Sequence, residues 1–474
     1  MARHYKIYLG GKWVDRKEKI EVKSPYDGKV AGTVAMASKA DFTKAIEIAH
    51  KTFEQTRQLP SYVREQACLA VSEGLRKNSD KFARMMSAEI GKALKDSEVE
   101  VFRAVQVFKI AAEEAKRVGG EIMDFDSIPG NEKRMGLIRR FPIGVLSGIA
   151  PFNFPLNLVA HKVAPAMASG NCMILKPAPT TPIIAMMLAE LIDKTDYPKG
   201  AISFMLGSNE NAEPLIKDER IKLITFTGSD RVGWWIKDNS GKKRVVLELG
   251  GNAGLAIADD ADLDYAVERA VKGSFGQAGQ SCISVQRIFV QEKVYDKFLK
   301  NFVAKTKKLK LGNPLSSSTD IGTLVNAQAV KNTQVLVDEA KRQGAKVLTG
   351  GKGKGTFFEP TIITNVKSSM GVCSKEAFAP LVTVEKYKKF TDAVKKINDS
   401  QFGLQAGIFT NRLDDVFYAF NNVEAGGIVI NDVPTFRADQ QPYGGMKDSG
   451  IGREGIRYTI EDYTEIKVLS LNLR

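Results

Sequence analysis

The chain has 474 residues, of which 43% are hydrophobic and 26% charged, values ordinary for a globular enzyme, and this length predicts two or three domains. The net charge of +14 is spread along the sequence, so we interpret it as a solvated basic surface and not as a nucleic-acid site. No apolar run approaches the roughly 20 residues that cross a bilayer, and the N-terminus lacks the apolar stretch of a signal peptide, so we expect a cytoplasmic protein with no membrane partner.

Cysteine and histidine usage narrows the possible chemistry. The four cysteines are far apart and form no CxxC pair, which favours a reducing compartment over a disulfide framework. The three histidines leave little room for a histidine-rich metal site or a Ser/His/Asp triad. We therefore predict no metal, and we expect a carboxylate or a lysine to perform any acid–base step.

The early part of the chain is predicted to be helical between residues 38 and 118. Ser38 and Ser61 each precede a run with apolar residues at helical spacing, so both are candidate N-caps. Cys68 lies on the apolar face of the second run, where a small core residue is expected. The segment 119–142 that follows is predicted to be a projecting hairpin.

Short apolar runs alternate with helical segments, such as NENAEPLIKDE, from residue 143 onward. The runs are IGVLSGIAP, NCMILKP, GAISFMLG, KLITFTG and RVVLELGG. This alternation predicts a parallel sheet with helices on both faces. In such sheets ligands bind beyond the carboxyl ends of the strands. The residues at those ends are Pro151–Asn153, Lys176–Pro177, Gly207, Gly228–Ser229 and Glu248–Gly251.

A second α/β unit is predicted after residue 251. It contains the strand-like runs SVQRIFVQ, AKVLTGG, GIFTN and GIVIND, and a long helix from Val294. The C-terminal YTEIKVLSLNLR is predicted to be a closing strand, and exposed strands at a chain end often pair with another subunit. The segment GIGREG fits GxGxxG, but no apolar strand precedes it. We therefore predict a glycine-rich loop that allows close backbone packing.

Three residues from separate loops suggest nucleophilic catalysis. Cys282 lies in a segment rich in Gly, Gln and Ser, where a thiol is accessible, although a lone cysteine is more often a small core residue. Glu248 ends an apolar run just before two glycines, a costly place for a carboxylate unless it acts as a base or caps an amide. Asn153, between two aromatic residues, is a candidate oxyanion donor or a turn residue.

Seven motifs together give the sequence a specific resemblance. They are APFNFP, KPAPTTP, FTGS, LELGG, GQAGQSC, KEAFAP and PYGGMKDSGIGREG. In order and spacing the chain resembles the NAD(P)-dependent aldehyde dehydrogenase superfamily, and within it the branch of lactaldehyde and non-phosphorylating glyceraldehyde-phosphate dehydrogenases. The resemblance implies an α/β fold of two Rossmann-like parallel-sheet domains plus a small β oligomerisation element. The implied boundaries are 1–118 with 143–250 for the dinucleotide-binding domain, 251–455 for the catalytic domain, and 119–142 with 456–474 for the oligomerisation element.

The resemblance also implies roles for the three candidates. Cys282 matches the family nucleophile, which attacks the aldehyde to give a thiohemiacetal and, after hydride transfer, a thioester. Asn153, with the backbone N–H of Cys282, matches the oxyanion site. Glu248 matches the general base that activates water to hydrolyse the thioester. Lys162 is expected near the site, with less weight.

Further positions match the family's cofactor site. Lys176 matches a contact to the adenosine ribose, and Ser229, at a predicted helix start, matches a pyrophosphate contact. Glu376 and Phe378 match the residues that hold the nicotinamide ribose and ring. Pro179 replaces the glutamate that many NAD-preferring members use to grip the ribose, which favours NADP or dual use. The remaining expected cofactor contacts are Ala150, Phe152, Gly207, Phe226, Gly228 and Gly250.

The substrate class depends on fewer residues. Arg103 and Arg437 are candidate contacts for a substrate anion, with surface ion pairs as an equal alternative. Ser281 stands where the glyceraldehyde-phosphate branch tends to have arginine, so we expect a small hydroxyaldehyde or semialdehyde such as lactaldehyde. Phosphonoacetaldehyde and glyceraldehyde-3-phosphate remain alternatives. A CoA-acylating enzyme or a non-catalytic protein on this fold is less favoured, because Glu248 and Cys282 are both present. A homodimer or homotetramer is expected.

Overall fold

The computed structural model describes residues 3–474. Its helices are α1 Lys39–Thr56, α2 Ser61–Lys77, α3 Ser79–Ile90, α4 Leu94–Ala115, α5 Asn157–Ser169, α6 Pro182–Ile192, α7 Pro214–Lys217, α8 Asp230–Asn239, α9 Leu263–Phe275, α10 Glu292–Thr306, α11 Ala327–Arg342, α12 Gly371–Ser374, α13 Phe390–Asn398, α14 Leu413–Asn422 and α15 Ile456–Asp462. A 3-10 turn spans Gly276–Gly279.

The strands up to residue 257 are β1 Arg3–Tyr5, β2 Ile7–Leu9, β3 Lys12–Val14, β4 Lys19–Lys23, β5 Val30–Ala35, β6 Gly120–Asp124, β7 Arg134–Pro142, β8 Val145–Ile149, β9 Cys172–Lys176, β10 Ile202–Phe204, β11 Ile221–Thr227, β12 Arg244–Glu248 and β13 Ala253–Ile257. The later strands are β14 Val285–Gln291, β15 Lys346–Thr349, β16 Gly353–Lys354, β17 Phe357–Phe358, β18 Thr361–Thr364, β19 Leu381–Tyr387, β20 Phe402–Gly403, β21 Gln405–Phe409, β22 Gly427–Ile430, β23 Met446–Lys447, β24 Gly450–Ile451 and β25 Thr464–Asn472.

The early helices confirm one predicted cap and correct the other. Ser38 precedes α1, where its hydroxyl accepts the Asp41 backbone N–H while the Asp41 carboxylate accepts that of Ser38, a reciprocal capping box. Ser61 is not an N-cap, because α2 begins at Ser61 itself and Pro60 stands at the cap without a side-chain bond. Proline has no side-chain acceptor, so the first N–H groups of α2 have no side-chain cap from this position. Cys68 is fully buried, as predicted.

The first large sheet has eight strands in the order β24-β12-β11-β8-β9-β10-β2-β3. The five predicted strands are β8 to β12, and each pairs in parallel with its neighbours among them. Because the order reverses direction around β8, the topological switch point lies between β8 and β11. Strands β2 and β3 were not predicted, and they extend the sheet through antiparallel pairs. The helix predicted over NENAEPLIKDE is only the four-residue α7, since Pro214 in its middle cannot continue a helix.

The second large sheet has seven strands in the order β15-β18-β19-β14-β13-β21-β22. Its pairs are parallel except for β15 with β18. The four predicted strand runs of this unit correspond to β14, β15, β21 and β22, and the helix expected from Val294 is α10, which begins two residues earlier. The two sheets with their helices confirm the predicted α/β class.

A small antiparallel sheet, β25-β7-β6, is separate from the two larger ones. It consists of the predicted hairpin and the predicted C-terminal strand, and β25 pairs with β7 over nine residues from Thr464 opposite Pro142 to Asn472 opposite Arg134. Ile122, Val468 and Leu469 are more than half exposed on it. The predicted domain boundaries stay a prediction.

The glycine-rich GIGREG segment packs closely, as predicted. Its β24 joins the edge of the first sheet antiparallel to β12. Gly450 has a φ of +142°, and a Cβ there would lie 1.9 Å from the Leu247 carbonyl oxygen, so only glycine fits. No helix between residues 3 and 474 is both long and apolar enough to span a bilayer.

Candidate active site

One loop of the second unit lies against the ends of the first sheet's parallel strands. The loop that carries Cys282 runs from α9 to β14. It packs directly on the residues after β12, since a Cβ on Gly251 would lie 2.0 Å from the Cys282 carbonyl oxygen. This contact brings Cys282 to the carboxyl edge of the first sheet, where ligand binding was predicted.

The turn before Cys282 has an unusual backbone. Gln277 and Ala278 have φ angles of 51° and 54°, in the left-handed region that side chains rarely adopt. Gly279 follows with φ +68°, and a Cβ there would lie 2.1 Å from the Ala379 carbonyl oxygen. Two consecutive strained residues persist only where surrounding contacts hold them, and such strain clusters at functional sites.

The Cys282 thiol has a defined polar neighbour. Its Sγ lies 3.4 Å from the Tyr443 hydroxyl. Burial, together with the charges of Glu376 and Glu248, raises the pKa of the Cys282 thiol to about 12, against the lowering effects of the Tyr443 contact and the Arg437 charge. The thiol is therefore the resting form at neutral pH, and a nucleophilic thiolate requires removal of its proton.

Asn153 lies against the loop of Cys282. Its side-chain Nδ2 donates a hydrogen bond to the Gln280 carbonyl oxygen at 3.1 Å, and the Gln277 side-chain amide donates to the Asn153 carbonyl oxygen. The residue is only 4% exposed. Two hydrogen bonds thus join the Asn153 loop to the Cys282 loop, and one of them ends at Gln280, two residues before Cys282.

Glu248 ends β12 and is 3% exposed. Neither of its carboxylate oxygens has a hydrogen-bond partner among residues 3–474. Burial raises the pKa of Glu248 well above its usual value, and the neighbouring charge of Glu454 raises it further. A buried carboxyl group without partners is costly to maintain and is available as a proton acceptor.

Glu454 is also buried but is fully paired. One oxygen lies 3.1 Å from the Lys162 ammonium and the other 3.1 Å from the Arg437 guanidinium. The same ammonium donates to the hydroxyls of Thr225 and Thr227 at 3.0 and 2.7 Å. Lys162 and Arg437 lower the pKa of Glu454 to about 2 against the opposing effect of burial.

The two arginines predicted to bind substrate both lie in ion pairs. The Arg437 guanidinium lies 3.7 Å from the centre of the Tyr443 ring, in addition to its pair with Glu454. Arg103 donates to both oxygens of Asp439, at 2.6 and 3.2 Å. His161, whose pKa burial lowers, lies between the two pairs at 2.9 Å from Asp439. The arginines are close to the site, and direct contact with substrate stays a prediction.

The predicted adenosine-side contacts follow β8 to β11. Lys176 ends β9, is 6% exposed and makes no hydrogen bond or ion pair through its ammonium in the described part of the chain, and burial lowers its pKa. Pro179 is exposed three residues later. Ala150 follows β8 and donates its N–H to the Lys176 carbonyl oxygen at 3.0 Å. Gly207 is buried beyond β10, where a Cβ would lie 2.6 Å from Phe42.

The start of α8 provides a predicted phosphate contact. Ser229 is its N-cap, is exposed, and makes no side-chain capping bond. Gly228 donates its N–H to the Glu248 carbonyl oxygen at 3.0 Å, and a Cβ there would lie 2.5 Å from the Phe226 ring. A free hydroxyl and free N–H groups at a helix start favour an anion.

The predicted nicotinamide-side contacts come from the second unit. Glu376 Oε1 accepts the Gly251 N–H at 2.9 Å, and a Cβ on Gly250 would lie 2.9 Å from its other oxygen. Burial raises the pKa of Glu376 to about 7. The Phe378 ring lies 5.8 Å from that of Phe152, edge to face, so these aromatics from two loops meet.

The sequence missed several residues of this site. Tyr443 lies in the motif PYGGMKDSGIGREG, yet no neighbouring residue in the sequence indicates that its hydroxyl contacts Cys282. Glu454 lies in GIGREG, and a carboxylate among glycines is the only local feature that indicates a role for it in the site. No group of three or more His, Cys, Asp or Glu side chains suited to a metal was found between residues 3 and 474.

Comparison with known sequences gives matches over almost the whole chain. A family model described as the aldehyde dehydrogenase family matches residues 13–469. A 3-sulfolactaldehyde dehydrogenase of Priestia aryabhattai is 41% identical over 473 residues, covering 100% of this chain and 99% of the relative. A lactaldehyde dehydrogenase of Methanococcus aeolicus is 35% identical over 473 residues, covering 99% of this chain and 100% of the relative.

Solved structures agree in fold over the same length. Aldehyde dehydrogenase 21 from Physcomitrella patens, in complex with the reaction product succinate, has a TM-score of 0.98 and 43% identity, covering 100% of this chain and 99% of that one. Glyceraldehyde-3-phosphate dehydrogenase GapN from Methanocaldococcus jannaschii, complexed with NADP, has a TM-score of 0.92 and 36% identity, covering 97% and 100%. These likenesses support both the predicted fold and the predicted family.

Proposed function

The chain belongs to the aldehyde dehydrogenase family and is an enzyme of NAD(P)-dependent aldehyde oxidation, and from this premise we propose that its substrate is a small hydroxyaldehyde or semialdehyde such as lactaldehyde. The observation that carries the proposal is the meeting of Cys282, Asn153 and the unpartnered Glu248 at one edge of the first sheet. Nucleophile, oxyanion donor and base are the three groups that this oxidation requires.

In the proposed mechanism the Cys282 thiol loses its proton to solvent water, and its sulfur attacks the aldehyde carbon. The side-chain amide of Asn153 and the backbone N–H of Cys282 donate to the oxyanion of the thiohemiacetal. When bound, NAD(P)+ supplies a hydride acceptor for this carbon. Glu248 then takes a proton from water, whose oxygen attacks the Cys282 thioester. The C–S bond breaks to release the acid, and Glu248 returns its proton to the sulfur to restore the thiol.

The cofactor site that we propose uses the residues described above. The Lys176 ammonium, with no partner in residues 3–474, would bind the adenosine ribose, and the α8 start at Ser229 would bind the pyrophosphate. Glu376 and Phe378 would hold the nicotinamide ribose and ring. Pro179 offers neither a carboxylate for a 2′-hydroxyl nor repulsion of a 2′-phosphate, so we propose NADP use or dual use.

The proposed substrate class rests on the relatives and on two arginines. Relatives named for lactaldehyde and sulfolactaldehyde, and a solved structure with succinate, all concern short, polar carbon chains. We propose that Arg103 and Arg437, which are held in ion pairs with Asp439 and Glu454, bind an anionic substituent of the substrate. Phosphonoacetaldehyde and glyceraldehyde-3-phosphate are the alternatives, and Ser281 beside the nucleophile supports them less.

Assembly into a homodimer or homotetramer is part of the proposal. The small sheet exposes Ile122, Val468 and Leu469, and an edge of this length with apolar side chains is suited to pairing with another copy. We also propose the domain division given above and a cytoplasmic location. Light scattering of the purified chain tests the assembly, and a monomer at micromolar concentration would contradict it.

The substrate is tested by offering the purified protein lactaldehyde, glyceraldehyde, succinic semialdehyde and phosphonoacetaldehyde, each with NAD and with NADP. Reduced-nicotinamide absorbance is the readout, and Cys282→Ala protein is the blank. We expect oxidation of lactaldehyde or succinic semialdehyde and complete loss in the Cys282→Ala variant, whose cofactor binding survives. A blank as active as the wild type would refute the role of Cys282.

A further inference from the structure

Helix α4 carries a row of three charged side chains directed at the candidate active site. Asp96, Glu100 and Arg103 are spaced i, i+4 and i+7, which places them on one face of the helix. Each contacts a different loop of the site. Acidic and basic residues at helical spacing normally form a solvated face, so their convergence on three functional loops requires an explanation.

Glu100 joins α4 to the loop that carries Asn153. The side chain is 1% exposed, and its Oε1 accepts the backbone N–H of Leu156 at 2.9 Å and of Asn157 at 3.0 Å. These are the free N–H groups at the start of α5. Leu156 occupies the N-cap position and offers no side-chain bond, so Glu100 is a cap supplied from another helix.

Lys92 balances the charge of Glu100 and touches the same loop. Its ammonium pairs with Glu100 Oε2, and both side chains are fully buried. It also lies 4.3 Å from the centre of the Phe154 ring. The Lys92–Glu100 pair therefore contacts Phe154 and Leu156, on either side of Pro155, in the segment that follows Asn153.

Asp96 joins the same helix to the loop of Cys282. Its Oδ2 accepts the backbone N–H of Gln277 at 3.1 Å. Gln277 and Ala278 are the two strained residues of that turn, so this bond restrains the backbone at its strained position. Arg103 completes the row through Asp439, in the loop that leads to Tyr443.

We propose that Asp96 and Glu100 are positioning residues, which fix the Cys282 loop and the Asn153 loop relative to one another through one rigid helix. A local cap at α5 would satisfy the same N–H groups but would not tie the oxyanion donor to the nucleophile. Misplacement of a catalytic group by about 1 Å can reduce a rate about 100-fold, so such a link is of direct value. The proposal rests on the proposed function, since it assigns Asn153 to the oxyanion.

The chain offers a matched control in Glu89, on α3. It is 2% exposed, and its two oxygens accept the N–H groups of Ile183 at 2.7 Å and Ile184 at 3.2 Å. This is the same cap, from another helix, at the start of α6. However, α6 follows the Lys176 loop and not a loop with a reacting group, so Glu89→Ala removes a comparable cap without loosening Asn153.

The test is a double-mutant cycle with Glu100→Ala and Asn153→Ala, read as the rate of the first burst of reduced nicotinamide in the full-length enzyme. We expect Glu100→Ala to slow the burst about tenfold or more at unchanged cofactor KM. In the double variant, it should add little to the loss from Asn153→Ala. Glu89→Ala should leave the burst within about twofold. Additive losses, or an unchanged burst in Glu100→Ala, would overturn the proposal.

Two further measurements keep the proposal testable. Glu100→Asp retains the charge opposite Lys92 but shortens the reach, so it should fold and still slow the burst. Asp96→Ala should change the alkylation rate of Cys282 by iodoacetamide at least about threefold, with Glu89→Ala as the unchanged control, and equal rates would contradict the role of Asp96. Alkylation needs no substrate, so a wild type without any burst would refute the proposed function and not this inference.

Discussion

Glu248 and Glu454 are two buried carboxyl groups of one site with opposite electrostatics. Glu248 has no hydrogen-bond partner among residues 3–474, and burial raises its pKa well above the usual value. Glu454 is equally buried but holds Lys162 and Arg437, which lower its pKa to about 2. Burial alone therefore does not decide the proton affinity of a carboxyl group, because the partners do. The electrostatics support the proposed role of Glu248 as a proton acceptor and keep Glu454 as an anion.

The largest expected effect is on turnover in the Glu248→Gln variant. Glutamine keeps the size of the side chain but cannot accept a proton, so thioester hydrolysis should slow by about 10²–10⁴-fold. Formation of the thioester does not need this group in the proposed mechanism. Rapid mixing should therefore show a full burst of reduced nicotinamide followed by a slow steady phase. Unchanged steady turnover after the burst would contradict the assignment of Glu248 as the base.

Glu454→Gln should instead reduce stability. It leaves the buried cations of Lys162 and Arg437 without their anion, which typically costs about 3–5 kcal/mol. Urea denaturation followed by circular dichroism measures the effect. Glu465→Gln is the control, because Glu465 pairs with Arg244 at the surface and its loss should leave the midpoint nearly unchanged. Equal midpoints for Glu454→Gln and Glu465→Gln would show that Glu454 is not a stabilising anion. The contrast between Glu454 and Glu248 would then not hold.

The two carboxyl groups should also respond to pH with opposite signs. The folded pKa of Glu248 is raised, so its contribution to stability is fully present below its unfolded pKa and is lost as pH rises through the folded value. The folded pKa of Glu454 is about 2, so its contribution is present above the unfolded pKa and is lost as pH falls towards 2. Wild type should therefore lose stability relative to Glu248→Gln as pH is raised above about 4.5. A constant difference between their denaturation midpoints would show that Glu248 titrates normally.

Local patterns in the sequence predicted most of the fold. Apolar runs bounded by glycine and proline gave β8 to β12, because such strands are buried on both faces and need no distant information. The same patterns missed β2 and β3, three-residue strands too short to show a period. They also overextended α7 across Pro214.

The site was predicted unevenly for a physical reason. Cys282 lies in a loop of small residues, and Glu248 ends β12 just before two glycines, so the local sequence alone marks both as candidate reactive residues. The local sequence does not mark the residues that shift their pKa values, because those contacts join distant segments. Glu100 reaches Leu156 across 56 residues, and Lys162 reaches Glu454 across 292. No spacing rule along the chain connects such pairs.

The smallest expected effect is that of Tyr443→Phe. The variant removes only the hydroxyl that lies 3.4 Å from Cys282 Sγ, while the ring that faces Arg437 at 3.7 Å remains. A single hydrogen bond of this kind contributes about 1 kcal/mol, so acylation should slow roughly fivefold. This bond lowers the pKa of Cys282, so the pH at which iodoacetamide labels half of the thiol should shift upward. A matching shift in Glu248→Gln would be downward, because the Glu248 charge raises the same pKa. Shifts of the same sign in both variants would mean that the thiol does not respond to one of these two neighbours as the geometry requires.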